Sequence, residues 1–285
     1  MLGYCCAMIH ALSFDLEEWY HADLLAPYVP QAERRSQVRD AMQPIIDLLR
    51  NVGVRATFFT VGEVARDHPE LIAELAADGH EIACHTMTHP NLWRLTPAGF
   101  ADELEQYRAA LEGALPGAKV LGFRAPMFSL DKRSHWVLGM LRDGGFRYDS
   151  SVVPVRTPWY GVAGAPLGIY RASLDDPGRT DADGGFLEFP LTACSIGPVR
   201  IPTAGGVYFR LIPYPVFRSL LRRVARRRPF VIYVHPWETY AATPRLPLPL
   251  IERFGLYTNI RHARRRLERL LQDFSFAPVR EVLDV

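Results

Sequence analysis

The stretch His80-Glu81-Ile82-Ala83-Cys84-His85-Thr86-Met87-Thr88-His89 decides how this chain is read. Glu81–Cys84 is a short run of alternating apolar character, which predicts a strand. It runs into His85, three residues of turn chemistry follow, and then comes His89 with Pro90 behind it. Two imidazoles four apart at the end of a strand are what a borderline metal such as Zn²⁺ needs from one local segment. In a chain with 9 His the pair alone is a weak motif. Its meaning rests on what the other strand ends supply.

Working outward, residues 9–14 read as a buried strand ending in a burst of acids, Asp15, Glu17 and Glu18, followed by Trp19, Tyr20 and His21. Acids at the C-terminal end of a buried parallel strand stand where α/β barrels keep their chemistry. Val38, Met42, Ile45, Ile46 and Leu49 have helical spacing, closed by Gly53. Residues 54–61 are β-branched and aromatic, hence a second strand. His68-Pro69 opens a helix that Gly79 ends.

Downstream, Thr96-Pro97 starts a helix to about Leu115. A short strand at 120–123 ends in Arg124-Ala125-Pro126-Met127-Phe128. A helix is predicted over 131–143, and a strand over 146–151 with a polar end at Asp149. Residues 154–185 are Pro/Gly-rich and read as an irregular excursion, with strands at 187–191 and 199–203. A helix over 215–227, a strand over 230–234 leading into His235-Pro236-Trp237-Glu238, a loop over 240–256 and a helix capped by Asn259 complete the chain. Alternating strands and helices predict a parallel sheet or barrel, with no repeat and no dividing linker.

The bulk properties exclude little else. The 285 residues are 48% hydrophobic and 22% charged, hence globular. A net charge of +2 gives no case for nucleic acid. Cys5, Cys6, Cys84 and Cys194 form neither a disulfide framework nor a CxxC pair, so a reducing compartment is expected. No basic segment followed by a long apolar run opens the chain, and no run approaches the length of a membrane span. The expected location is cytoplasmic, with residues 1–7 a dispensable extension before the first strand.

Each strand end carries a polar cluster: Asp15 with Glu17, His85 with His89, Arg124, Asp149 and His235. In a parallel barrel these ends share one rim. One carboxylate and two imidazoles leave a position open on a metal, the catalytic arrangement. A second carboxylate can act as base, and a separate His can protonate a leaving group. That set suffices for metal-assisted hydrolysis of an amide or ester.

Five ordered blocks resemble the NodB-homology polysaccharide deacetylases: Ser13-Phe14-Asp15-Leu16-Glu17, His85-Thr86-Met87-Thr88-His89, Arg124-Ala125-Pro126, Tyr148-Asp149-Ser150-Ser151 and Tyr233-Val234-His235. The stretches SFDLEEWYH, FRAPMFSLD, YDSSVVP, GGVYFR, YVHPWE and LERLLQDFSFAPVREVL are similar to a subgroup encoded with bacterial exopolysaccharide systems. The resemblance spans nearly the whole chain. It implies an α/β fold, a distorted (β/α)7 barrel in a single domain, with a core over about 8–238 and a C-terminal helical extension over about 239–285. It implies Asp15 as general base, His85 and His89 as metal ligands, Arg124 holding Asp15, and His235 as general acid. Asp149 is the candidate for the carboxylate that sets the pKa of His235; the alternative is a turn cap through Ser150 and Ser151. Leu12, Trp19, Tyr20, Pro126, Phe128 and Trp237 are expected to line the groove, whereas His10 and His21 read as structural.

One departure matters. The family's first block has two adjacent Asp, and here Leu16 stands in the second place. Residues i and i+2 share a face of an extended chain, so Asp15 and Glu17 can converge while Glu18 points away. Glu17 is therefore expected to be the third ligand; the alternative puts Asp15 on the metal with a Glu as base. The implied cofactor is one divalent ion, Zn²⁺ by the ligand types. The implied partner is an N-acetylated polysaccharide or lipid-linked oligosaccharide, deacetylated with release of acetate. Two rivals stand beside this: hydrolysis of a cyclic imide or ureide on the same fold, and a metal-bound carbohydrate binder without turnover. The Arg runs at 222–228 and 261–269 read as a solvated face, or more sharply as a contact with an acidic polymer or anionic membrane.

Overall fold

The computed structural model describes residues 8–22, 25–157 and 160–285. The expectations for residues 1–7, with Cys5 and Cys6, lie outside the described residues. In chain order the elements are β1 His10–Leu16, α1 Val38–Val52, β2 Thr57–Thr60, α2 Gly62–Asp67, α3 Pro69–Ala77, β3 Glu81–Cys84, α4 Pro97–Ala114, β4 Gly122–Phe123, α5 Trp136–Asp143 and β5 Tyr148–Asp149. There follow β6 Tyr170–Ala172, β7 Phe186–Glu188, β8 Ala193–Ile196, β9 Val199–Pro202, α6 Gly206–Leu211, α7 Tyr214–Ala225, β10 Val231–Val234, α8 Leu250–Tyr257, α9 Ile260–Asp273, β11 Phe276–Ala277 and α10 Val279–Leu283.

The main sheet runs β10-β1-β2-β3-β4-β5-β7-β6. Every pairing from β10 to β7 is parallel, and β6 closes the far side antiparallel to β7. This is the distorted (β/α)7 barrel, with the sheet curled into an open half-barrel. All seven residues of β1 are buried, because a parallel strand between two neighbours is covered on both faces. Alternate residues go to opposite faces. Phe14 and Phe58 stack 5.0 Å apart under the helices, while Ala11, Phe59 and Ala83 face the interior of the curl.

The helices follow their sequence logic. α1 buries Val38, Ala41, Met42, Ile45, Ile46 and Leu49 and ends at Gly53 with φ 66°. α4 starts where Thr96 accepts a hydrogen bond from Gly99 N–H. Gly205 is required by close approach: a Cβ there would lie 1.9 Å from the Tyr233 carbonyl oxygen, where the chain bridges to β10.

The structure adds α2, β8 and α6 to the expected elements, and three longer regions also differ from the sequence expectation. The excursion over 154–185 contains β6, too short to show a period. The expected loop over 240–256 contains most of α8, which buries only Leu256 and Tyr257 and leaves Leu250, Ile251 and Phe254 exposed. The C-terminal segment is not purely helical, because β11 pairs with β1 at His10 and Ala11. His10 N–H donates to Ser275 O and Ala11 N–H to Phe230 O. Successive donors point to opposite edges, so β11 fills the part of β1's edge that β2 leaves open.

Candidate metal and catalytic site

Parallel strands place their C-terminal ends on one rim. That rim gathers Asp15 and Glu17 from β1, His85 and His89 from β3, Arg124 from β4 and His235 from β10. The ligand atoms of Glu17, His85 and His89 all lie within 4.8 Å of one another, and all three residues are buried.

His85 is prepared for one role by its neighbour. Its Nδ1 lies 2.7 Å from the Arg124 carbonyl oxygen, which can only accept, so Nδ1 carries the proton and Nε2 presents its lone pair. Burial pushes its pKa down to about 4, which keeps the imidazole neutral. Glu17 Oε2 pairs with His89 Nε2 at 2.9 Å. Both atoms belong to the buried cluster whose donors lie close enough together to share one cation. The other oxygen, Oε1, accepts from Trp237 Nε1–H at 3.0 Å. Burial alone would raise the Glu17 carboxyl, but His89, His235 and His85 outweigh it and hold it below the usual carboxylate range. The donor set of two imidazoles and one anionic carboxylate fits a divalent ion of the Zn²⁺ type.

The loop between the two imidazoles is held from outside. Thr86 and His89 adopt φ 64° and 61°, a left-handed conformation that non-glycine residues rarely take. Glu103 of α4 accepts from Met87 N–H at 2.8 Å, Thr88 N–H at 2.9 Å and the Thr88 hydroxyl at 2.7 Å. Thr86 Oγ1 accepts from His89 N–H at 3.1 Å. Sequence reading passed over Glu103, since nothing local links residue 103 to the loop.

Asp15 is fixed by a fully buried arginine. Arg124 donates to Asp15 at 2.6 Å, to the Ser13 hydroxyl at 2.9 Å, and to the Ser150 carbonyl and hydroxyl at 2.8 and 3.0 Å. Its guanidinium also lies 3.9 Å from the centre of the Phe59 ring. Removing one member of such a buried pair costs about 3–5 kcal/mol, because the other charge stays behind unpaired.

His235 completes the rim. Its Nε2 lies 3.8 Å from Asp15 and 3.7 Å from Glu17. Its Nδ1–H donates to Glu238 at 2.9 Å, across the short turn Pro236–Glu238. Burial would lower its pKa, but Glu238, then Glu17 and Asp15, push it up to about 9. Burial would raise Glu238, and Arg210 with His235 outweighs this to hold it down at about 2. Here the sequence expectation needs correction: Glu238, not Asp149, is the carboxylate at His235. Asp149 accepts from the Ser151 hydroxyl at 2.6 Å and stands opposite Glu188 of β7. Burial raises both of those carboxyls.

A cavity of about 200 Å³ opens on the rim, lined by Met127, Phe128, Tyr160, Tyr233, Trp237 and one side of α8. Phe128 and Trp237 are where the sequence put them. Leu12 belongs to the core beneath the helices. Trp19 turns away, its indole N–H on the Arg35 carbonyl at 2.9 Å and its ring packed beside Leu25 and Val29. Tyr20 lines a separate recess with Glu18 and Glu63, and Pro126 is buried behind the cavity wall. Glu18 points away from the rim and accepts from Gln37 N–H at 3.0 Å, at the start of α1. His21 holds Glu63 at 3.1 Å.

Comparison with known proteins adds to this geometry. Residues 32–143 match the family model described as Polysaccharide deacetylase. The match is to the polysaccharide deacetylase family. His85, His89 and Arg124 fall inside it, and residues 150–284, with His235 and Glu238, match a second model, Domain of unknown function (DUF3473). Over 82 residues the chain is 44% identical to a chitooligosaccharide deacetylase of Bradyrhizobium sp. (strain ANU 289), covering 29% of this chain and 37% of that protein. The chain thus spans less than half the length of curated deacetylases such as this one. Among solved structures, a putative polysaccharide deacetylase from Mycobacterium smegmatis superposes with a TM-score of 0.57 at 19% identity, covering 96% and 90% of the two chains. The Puue allantoinase gives 0.60 at 14% identity, covering 96% and 88%. At these identities the two structures show the shared fold.

Proposed function

We propose that this chain is a metal-dependent carbohydrate N-deacetylase. It removes acetyl groups from amino-sugar residues of a bacterial exopolysaccharide, or of its lipid-linked precursor, and releases acetate. One observation carries the reading: the imidazole of His235 lies within 4 Å of both Glu17, a member of the three-ligand cluster, and a second buried carboxylate, Asp15, and both His235 and Asp15 are held by partners of their own. A protein that only binds sugar has no use for a base and an acid around a metal site.

In this reading Glu17, His85 and His89 hold one divalent ion, Zn²⁺ by donor type, which supplies a Lewis acid for the acetamide carbonyl when bound. Arg124 holds Asp15 with its free oxygen toward the rim, so Asp15 takes the proton of the attacking water. His235, protonated through its pairing with Glu238, gives a proton to the departing sugar amine. Phe128, Tyr233 and Trp237 shape the cavity around the sugar. Asp149 acts behind Arg124 through the Ser150–Ser151 segment rather than on substrate. The continuous sheet, which draws strands from both matched regions, supports one domain over the whole chain.

Acetate release from N-acetylated chito-oligomers by the Zn²⁺-loaded protein tests this, with ring opening of a cyclic ureide assayed in parallel. Acetate release that is lost in His85→Ala supports it. Ring opening without acetate release replaces it with the cyclic amide reading.

A further inference from the structure

We propose that the outer face of α8 docks on the surface of an anionic lipid bilayer. Leu250, Ile251 and Phe254 of this eight-residue helix are 82%, 83% and 59% exposed. Bulky apolar groups clustered on one exposed helix point to a covering partner, unlike scattered single ones. Around them stand Arg245, Arg253 and Arg261, which with Leu250 and Phe254 line an open recess of about 440 Å³. Ion pairs on α7 and α9 use Arg218, Arg222 and Arg264. Among the described residues Arg245, Arg253 and Arg261 form none.

The charges on α8 are sorted by side. Its acid, Glu252, lines the catalytic cavity with Ile251, Gly255 and Leu256 and accepts from the Tyr28 hydroxyl at 3.5 Å. Arg253, Leu250 and Phe254 line the outer recess instead. Aliphatic and aromatic side chains ringed by arginines that no carboxylate neutralises match a bilayer surface: the apolar groups enter the acyl boundary and the guanidiniums meet lipid phosphates. A polysaccharide offers nothing for Leu250 to bury against. No helix among the described residues is long and apolar enough to cross a membrane, so the contact is peripheral.

Because α8 also forms one wall of the cavity, docking brings the cavity mouth beside the headgroups. On the function proposed above, that geometry suits an acetylated sugar carried on a lipid; the docking itself does not depend on it.

Vesicle co-sedimentation of the full chain tests the proposal. The expected result is binding to vesicles of phosphatidylcholine with phosphatidylglycerol, weakened by salt, and little binding to phosphatidylcholine alone. Leu250→Glu with Phe254→Glu is expected to weaken binding tenfold or more, and Arg253→Ala with Arg261→Ala severalfold. Thermal unfolding of each variant checks folding without reference to catalysis. Acetate release from a soluble oligomer by the Leu250/Phe254 variant is expected to match wild type; an inactive wild type with intact vesicle binding would count against the deacetylase reading alone. No binding at low salt, or wild-type binding by the apolar variant, overturns the docking. So does a lipid-free dimer that these variants dissolve, which would make the face a contact between copies.

Discussion

Glu238 presents its carboxylate to His235 Nδ1 at 2.9 Å, and the buried Arg210 holds the other Glu238 oxygen at 3.1 Å. Arg210 also donates to the Gly255 and Thr258 carbonyls at the end of α8, each at 2.8 Å. The group that sets the charge of His235 is therefore anchored to the helix that walls the cavity. A charged donor buried in this way is stable only while its counter-charge stays in place.

Glu238→Gln keeps the shape and removes the charge. The form of His235 that can donate a proton exists below its pKa of about 9 and is lost as pH rises through it. Without Glu238 that pKa falls, so the basic limb of kcat/KM against pH should move down by roughly one unit or more. A limb that stays in place would remove Glu238 from this role.

Asp15→Asn should lower kcat on the order of 10²–10⁴-fold, the usual worth of a positioned base, with metal content unchanged by elemental analysis. His85→Ala should instead lose the metal. If Asp15→Asn loses metal as well, Asp15 is a ligand and the base lies elsewhere.

Glu103→Ala removes three hydrogen bonds from the 86–88 loop and touches neither imidazole. Metal affinity should drop about 10–100-fold, as for other groups that orient ligands, with little change in melting temperature. Competition against a chelator measures it, and wild-type affinity would show that the loop holds its shape unaided.

Phe276→Ala probes the return of the C-terminal segment to the sheet. Phe276 packs against Phe230 and the His10 ring. Its truncation should cost about 3 kcal/mol in urea unfolding. A cost under about 0.5 kcal/mol, the range of an ordinary surface change, would mean that β11 adds nothing to the barrel.

Much of the framework could be read from the sequence because buried parallel strands are apolar runs with sharp polar ends. Glu81–Cys84 falls at its expected bounds, and Asp15, His85, Arg124 and His235 sit at strand ends that the topology must gather. What stayed hidden depends on side-chain direction or on distant partners. Nothing local says that, of two tryptophans in one apolar cluster, Trp237 lines the cavity and Trp19 does not. Asp149 stood at a strand end like the others, but Glu188 beside it on β7 captures it. Glu238 reaches His235 only because the chain turns tightly after β10. Pro247 and Pro249 mark residues 240–256 as loop, and α8 hides there because most of its apolar residues are exposed.

The strand that carries Asp15 and Glu17 is bordered by β10 and β11, which lie more than two hundred residues later in the chain. During synthesis β1 must wait for both, since loop closure over such a span comes late and slowly. The two imidazoles of the 85–89 loop leave the ribosome long before the acid His235 and the edge of β1 are in place. A nascent chain can thus bring the two imidazoles together before the rest of the rim exists, and the hydrolysis proposed above becomes possible only when the last strand docks.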